Sequence, residues 1–173
     1  MTSKKIYIEA CMSPESVYDA GLLWCAWAAE QGREPHVEMW LQTISNRVST
    51  GWWETPTEPT MAVPNSWLLI ARDANRDDQP VGMVECFFAV DPYEGGMCEF
   101  ADHAYVLPEY REAGVFSKLA HAALSLGELP GVRSQILPME PDSVLSHFYE
   151  EFAGGEFEKY AISWRRKLTN ESA

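Results

Sequence analysis

The sequence predicts a single-domain α/β (α+β) fold, and three observations lead to that prediction. The chain has 173 residues, of which 46% are hydrophobic, so one sizeable core fits its length. Apolar positions recur with strand and helix periods in the order β, α, α, β, β, β, α, β, α, β. The turn-forming residues 73–80, DANRDDQP, separate two apolar strands and predict a hairpin between them.

The N-terminal third is predicted to contain one strand and two helices. The strand covers residues 5–12. Ser13 and Pro14 then have the residue types of a helix N-cap and a first helical position, and Gly32 ends that helix. A second helix follows because apolar residues recur at three- and four-residue intervals, namely Val37, Trp40, Leu41, Ile44 and Val48.

The rest of the chain is predicted to alternate strands with two further helices. The strands cover residues 67–72, 81–90, 98–106, 132–137 and 157–168. The first of the two helices carries Phe116, Leu119, Ala123 and Leu126 on one face. The second begins at Pro141 and buries Val144, Leu145, Phe148 and Phe152.

Charge and cysteine usage limit the classes of partner. The 26 acidic and 13 basic residues give a formal net charge of −13, which repels the phosphates of nucleic acids and anionic membranes. The same charge attracts cations such as amines, although solubility alone also explains an acidic surface. No apolar run approaches the ~20 residues that cross a bilayer, and no signal peptide is recognised. The four cysteines lack metal-ligand spacing, so we expect a reduced cytoplasmic chain without a metal.

The stretch 102–126 has the pattern of a strand, a short loop and a helix. Its loop contains Arg111 and Gly114, and Lys118 lies in the first turn of the helix. A helix N-terminus presents unpaired backbone N–H groups and the positive end of its dipole, which together favour an anion such as phosphate. An ordinary strand-to-helix connection with a solvated arginine is the alternative interpretation.

Residues 106–115 resemble the coenzyme-A loop of the GNAT acyltransferases, which is described as Arg or Gln, two residues, Gly, one residue, then Gly or Ala. Arg111 and Gly114 match, the strand ends in the Val-x-Pro that often precedes the loop, and Phe116 replaces the second small residue. Residues 142–152 are similar to the C-terminal motif of the same family, with Asp142 in place of its usual Asn.

The resemblance implies one GNAT-like domain over residues 1–173, with a central mixed, mostly antiparallel sheet flanked by helices. Residues 3–66 would be its variable part, and 67–168 the core that binds coenzyme A and carries out catalysis. The implied activity is transfer of acetyl from acetyl-CoA to a primary amine. The implied cofactor-binding residues are Ala104, Tyr105, Val106, Arg111, Glu112, Ala113, Gly114, Val115, Phe116, Ser117 and Asp142.

The resemblance also assigns catalytic candidates. Tyr149 occupies the position of the family's acid for the leaving thiolate, and a pKa of about 10 suits that role. The family's base falls near Glu99 or Phe100 by its spacing to Gly114, and Asp102 lies closer to the predicted thioester position. Simple alternation puts Phe100, Asp102, Ala104 and Val106 on one face and Glu99, Ala101, His103 and Tyr105 on the other. His103 then points away unless a β-bulge intervenes, and a water molecule is the remaining candidate for the base.

The acceptor is predicted from charge and aromatic content, and we expect a small cationic amine. Its walls would be Trp24 and Trp27 of the first helix, Trp40 of the second, and Trp52 and Trp53 in the loop 50–66, although core packing also explains these residues. Two other functions stay open: a non-catalytic domain that binds coenzyme A or a protein partner, and an enzyme that modifies a protein or a nucleic-acid base. The oligomeric state is undetermined, with a homodimer as one option.

Overall fold

The computed structural model describes residues 4–50, 66–91 and 95–136. For residues 45–50 it describes the backbone alone. The elements are β1 (Ile6–Ala10), α1 (Pro14–Glu30), α2 (Val37–Thr50), β2 (Ser66–Asp73), β3 (Gln79–Asp91), β4 (Gly96–Val106), a 3₁₀ turn (Pro108–Tyr110), α3 (Val115–Leu126) and β5 (Val132–Ile136). This order confirms the first eight predicted elements. The predicted helix after Pro141, the last strand, the Trp52-Trp53 loop, Asp142 and Tyr149 lie outside the described residues.

The five strands form one mixed sheet in the order β1-β2-β3-β4-β5. Each neighbouring pair from β1 to β4 is antiparallel, and β4 pairs with β5 in parallel. The sheet is therefore mixed and mostly antiparallel, as predicted, and helices flank it. The predicted division of the chain at residues 3–66 and 67–168 stays a prediction. Along the described segments, no helix combines the length and apolarity that crossing a bilayer demands.

Alternating residues of β2 separate the core into two layers. Leu69 and Ala71 pack with Leu119 of α3 on one face of the sheet, which we call the α3 face. Leu68 and Ile70 pack with side chains of α1 and α2 on the opposite face, which we call the α1 face. Because strand side chains alternate and both faces are covered, residues 67–71 of β2 are all apolar.

The N-terminus of α1 is fixed by the N-cap predicted at Ser13, which the structure shows to be a reciprocal cap with Ser16. The Ser13 hydroxyl accepts a hydrogen bond from the Ser16 N–H at 3.2 Å, and the Ser16 hydroxyl accepts one from the Ser13 N–H at 3.1 Å. Two backbone donors that no helical carbonyl can reach are thereby satisfied.

Ser13→Ala should therefore lower the free energy of unfolding by about 1 kcal/mol, since the cap acceptor is lost. Ser125→Ala is the matched control because Ser125 is exposed near the end of α3, where its hydroxyl donates to the His121 carbonyl. We expect that control to stay within about 0.5 kcal/mol of the wild type. Equal losses in the two variants, measured by urea unfolding, would contradict the capping role.

The pairing of β3 with β4 contains a bulge that corrects the predicted side-chain faces. Met83 pairs with Tyr105 and Glu85 pairs with Asp102, so β4 uses one more residue than β3 over this interval. His103 lies in that interval and has φ of 49°. This left-handed conformation is uncommon for residues other than glycine, although Asn, Asp and His adopt it more often than the rest. The extra residue reverses the alternation that follows it.

The simple alternation predicted for β4 was therefore wrong beyond Asp102. Ala104 packs against the α3-face core, whereas Tyr105 belongs to the α1-face core. The His103 ring contacts Trp27 of α1, so His103 lies on the α1 face beside Asp102 instead of opposite to it. The reason is the bulge, which adds a residue without adding a pairing partner.

Candidate functional site

Strands β4 and β5 stay paired over only part of their length. The parallel register runs from Met97 opposite Val132 to Phe100 opposite Ile136. β4 continues for six more residues to Val106, and no further β5 residue pairs with it within the described chain. The edge of β4 from residue 101 to 106 is thus where another extended chain could form backbone hydrogen bonds.

The end of β4 directs backbone polar groups towards this edge. The Leu107 N–H donates to the Val81 carbonyl of β3 at 3.0 Å, so the polar groups of Val106, one residue earlier, point to the opposite edge. Arg111 Nε accordingly donates to the Val106 carbonyl at 3.1 Å. The Val106 N–H shares that direction, and an extended ligand beside β4 would meet it.

The loop after β4 leads into the N-terminus of α3 in a conformation that requires glycine. Gly114 is the N-cap residue of α3 and has φ of 71°, which costs a residue with a Cβ about 1–2 kcal/mol. The first hydrogen bond of this helix runs from the Lys118 N–H to the Gly114 carbonyl at 3.2 Å. The first-turn amides are therefore not used by the helix ladder and point, with the positive end of the helix dipole, into the loop.

The loop is open at its glycine. A Cβ placed on Gly114 would meet no heavy atom within 4 Å. Phe116, which departs from the family motif, packs its side chain against the α3-face core together with Ala113, and Val115 is fully buried in that core. Glu112 and Lys118 are exposed, and Ser117 is half-buried. The bulky residue at 116 therefore contributes to the core, and the loop stays open at Gly114.

Arg111 has an acidic partner that the sequence did not suggest. Its Nη2 donates to Glu30 Oε2 at the end of α1, at 2.5 Å, and its guanidinium lies 5.8 Å from the centre of the Tyr105 ring. The hydrogen bond from Arg111 lowers the pKa of Glu30. Burial, and then the charge of Glu30, raise the pKa of Tyr105. Arg111 thus links the loop to α1 and to β4, in addition to any contact with a phosphate.

A second group of side chains lies on the α1 face next to the bulge, and we call Trp27, Glu85, Asp102 and His103 the His103 cluster. His103 Nδ1 lies 3.3 Å from Glu85 Oε2 and 3.7 Å from Asp102 Oδ2. The His103 N–H donates to Asp102 Oδ1 at 2.8 Å. The ring of Trp27 meets that of His103 edge-on, with centroids 5.4 Å apart.

Burial differs sharply within the His103 cluster. The Glu85 side chain is only 3% exposed, whereas those of His103 and Asp102 are 36% and 40% exposed. Glu85 was not among the site residues that the sequence predicted. The available signal was a lone carboxylate in the otherwise apolar strand 81–90, VGMVECFFAV, where a charge is seldom placed without a partner.

Of the described tryptophans that were predicted to line the acceptor pocket, one lies in the core and another lies next to the candidate site. Trp40 is 9% exposed and belongs to the α1-face core, where it stacks on Trp24 with centroids 5.6 Å apart. Trp24 contacts Trp27 at 6.4 Å, and Trp27 contacts His103. These aromatic rings form a continuous row that ends at the His103 cluster, so Trp27 borders the candidate site and Trp40 does not.

Glu99 is buried on the α3 face, away from Asp102. Its side chain is 1% exposed, and its Oε2 accepts a hydrogen bond from Gln135 Nε2 of β5 at 2.6 Å. Burial raises the pKa of Glu99. The two carboxylates named as candidate bases therefore do not share a site, and of the two only Asp102 lies in the His103 cluster. In the portion of the chain that is described, no group of three or more His, Cys, Asp or Glu residues is placed to hold a metal ion.

This chain resembles known proteins in its fold. No protein-family model and no curated protein sequence matches it. An acetyltransferase from Trypanosoma brucei superimposes with a TM-score of 0.69 at 14% identity, covering 95% of this chain and 100% of that one. A transcriptional regulator from Bacillus halodurans gives the same TM-score, identity and coverages.

A further similar structure was determined with a ligand. It is AAC(6')-Iy in complex with the bisubstrate analogue CoA-S-monomethyl-acetylneamine, with a TM-score of 0.65 at 17% identity, covering 95% of this chain and 99% of that one. The acetyltransferases among the matches share the GNAT fold and cover nearly the whole chain. The mixed sheet order, the glycine-capped helix and these superpositions agree, and the chain has the fold of the GNAT acetyltransferases.

Proposed function

We propose that this protein is an acyl-CoA-dependent N-acyltransferase that transfers acetyl from acetyl-CoA to a primary amine by direct attack. The observation that carries the proposal is the continuity between the edge of β4, which no described residue pairs with beyond Phe100, and the open loop at Gly114. The edge would bind the extended pantetheine arm, and the loop amides would bind the phosphates. The fold neighbour with a coenzyme-A bisubstrate analogue supports the same choice of co-substrate.

The residues of β4 and the loop suit the parts of acetyl-CoA in order. The edge at Ala104, Tyr105 and Val106 supplies backbone groups, of which the Val106 N–H points outward and can donate to the pantetheine or to the thioester carbonyl. The positive end of α3 follows, with Gly114 leaving space for a phosphate and Lys118 nearby. Bound acetyl-CoA would supply the activated acetyl group, and the protein would hold its carbonyl beside the α1 face.

Calorimetric titration with acetyl-CoA and free coenzyme A tests the proposal directly. We expect one site per chain for both, and no binding of pantetheine-free acetyl thioesters such as S-acetylthiocholine at the same concentrations. If neither acetyl-CoA nor any other coenzyme-A compound binds to the protein, the proposed catalytic function is wrong.

The acceptor is proposed to be a small cationic amine. The chain carries a net charge of −13, and the His103 cluster adds two carboxylates and the Trp27 ring on the α1 face. Long-range attraction should make kcat/KM for spermidine and neamine fall between 20 and 300 mM salt, whereas glycine amide should respond less. A rate that is independent of salt, or a preference for anionic acceptors, would contradict a cationic substrate.

A non-catalytic domain is the second candidate function, and one comparison favours it: the Bacillus halodurans match is described as a transcriptional regulator. Coenzyme-A binding without turnover of any amine would support it. Modification of a protein or of a nucleic-acid base stays a further alternative, although the acidic charge disfavours nucleic acid. The cytoplasmic location remains a prediction, and a homodimer is untested.

A further inference from the structure

We infer that His103 is the general base of this site, that Glu85 positions its imidazole, and that the amine reaches the thioester from the α1 face. The inference rests on the proposed acyl transfer and adds the residue that removes the proton. It comes from the bulge in β4, which places His103 on the same face as Asp102 and Glu85.

The position of His103 follows from the local backbone. Ala104, the next residue, begins the part of the β4 edge proposed to hold the thioester, so the imidazole lies one residue from that edge. The left-handed φ of 49° turns its side chain to the α1 face while Ala104 packs on the α3 face. A strained conformation at a half-exposed residue beside an open strand edge is the kind of outlier that accompanies functional sites.

The orientation of the ring follows from its contacts. Glu85 is almost fully buried and lies 3.3 Å from Nδ1, so the carboxylate fixes that nitrogen as the donor. Trp27 holds the ring edge-on from the α1 side. With Nδ1 directed to Glu85, Nε2 is the nitrogen that would accept the proton of the substrate.

Among the described residues, the charged groups nearest the imidazole lie on β3, on β4 and around the end of α1. Asp102 on β4 and Glu85 on β3 face it directly. On the side of α1, Arg33 lies 5.8 Å from the centre of the Trp27 ring, so a cation stands behind that ring. Tyr105, two residues further along β4, faces Glu30 and Arg111. The carboxylates closest to the ring favour both an ammonium substrate and the imidazolium that forms after proton transfer.

Acyl transfer at this site moves two protons from the substrate nitrogen. A substrate ammonium gives one proton to His103 Nε2, and the resulting amine nitrogen forms a bond to the thioester carbonyl carbon. The carbon–sulfur bond breaks, the nitrogen loses its second proton, and the coenzyme A sulfur leaves as a thiol. One proton is released to solvent overall, from His103, and no redox partner is required.

The test compares His103→Asn, Glu85→Gln and His121→Asn with the wild type, using acetyl-CoA with spermidine, neamine and glycine amide. Asn is chosen because it tolerates the left-handed backbone at position 103. His121 is the control because it is an exposed histidine on α3. We expect His103→Asn to lower kcat by about 10²–10⁴-fold and His121→Asn to leave it unchanged. If none of the amines is acetylated, the same variants are compared in the release of coenzyme A from acetyl-CoA by water.

Glu85→Gln tests whether Glu85 positions the imidazole, because a purely structural role would not change the pH at which His103 titrates. Because a carboxylate stabilises the imidazolium, its removal should shift the acidic limb of the kcat/KM profile, and the NMR titration of the His103 ring, to lower pH. An unchanged His103 titration in Glu85→Gln, or a His103→Asn enzyme with wild-type turnover, would overturn the inference. Calorimetric titration with coenzyme A distinguishes failure of this inference from failure of the proposed function. If the variants bind coenzyme A normally but the His103 predictions are wrong, the proposed acyl transfer still stands. If the wild type binds no coenzyme A, both the acyl transfer and the role of His103 are wrong.

Discussion

Gly114→Glu should abolish binding of coenzyme A while the protein stays folded. The new side chain would extend into the space that is open around Gly114 and would place a negative charge at the N-terminus of α3. A carboxylate there competes with the phosphates for the loop amides and also repels the phosphates. Both the competition and the repulsion weaken binding of coenzyme A. Calorimetric titration with coenzyme A measures the loss directly.

The control must reproduce the backbone strain and the charge without touching the loop. Gly95→Glu does so, because Gly95 has φ of 67° and a Cβ there would also meet no heavy atom within 4 Å. It precedes β4 at the end opposite to the loop, roughly 33 Å away along an eleven-residue strand. We expect both variants to lose similar stability and only Gly114→Glu to lose the ligand. Normal affinity in Gly114→Glu would show that the phosphates bind elsewhere.

Tyr149→Phe should lower turnover by about 10²–10⁴-fold, the effect of removing a positioned acid. Tyr149 lies outside the described residues, so this prediction comes from the resemblance of residues 142–152 to the family's C-terminal motif. The substitution keeps the aromatic ring and removes only the hydroxyl, which would otherwise give its proton to the leaving sulfur. Affinity for coenzyme A should change little, because no phosphate contact is involved.

Tyr18→Phe is the matched control for that experiment. Tyr18 is 57% exposed on α1, and loss of its hydroxyl should leave both turnover and affinity at the wild-type level. The comparison requires conditions in which chemistry limits the rate, since slow product release would hide the effect. Turnover of Tyr149→Phe equal to that of Tyr18→Phe would show that the Tyr149 hydroxyl is not the acid and would favour the alternative that its ring only packs against the helix face.

The two experiments and the His103 series address different parts of the reaction. Gly114 reports on the co-substrate, Tyr149 on the leaving sulfur and His103 on the attacking nitrogen. If Tyr149→Phe and His103→Asn both reduce kcat with unchanged affinity, both residues act in the chemical step and not in binding of the co-substrate. Their opposite effects on the pH profile would then distinguish them, because loss of the base removes the acidic limb and loss of the acid removes the basic one.

Local sequence patterns were sufficient for the order of the described elements. Ser13 with Pro14 marked the start of α1, the turn at residues 73–80 marked the β2–β3 hairpin, and Gly114 marked the start of α3. These signals depend on interactions between residues close in the chain, such as caps, turns and the period of apolar side chains. The mixed, mostly antiparallel sheet followed from the family resemblance and is confirmed.

The composition of the site was decided only by the tertiary structure. The bulge at His103 is a mismatch of register between β3 and β4, and a single strand does not reveal how many residues its partner uses opposite it. That one residue moved Ala104 to the α3 face and left His103 beside Glu85, a carboxylate 18 positions earlier. The ion pair between Glu30 and Arg111 likewise joins residues 81 positions apart. Local patterns in the chain were enough to locate the helices, strands and the glycine loop before α3, because they depend on neighbouring residues; pairing and packing between distant segments fixed which side chains meet on the α1 face.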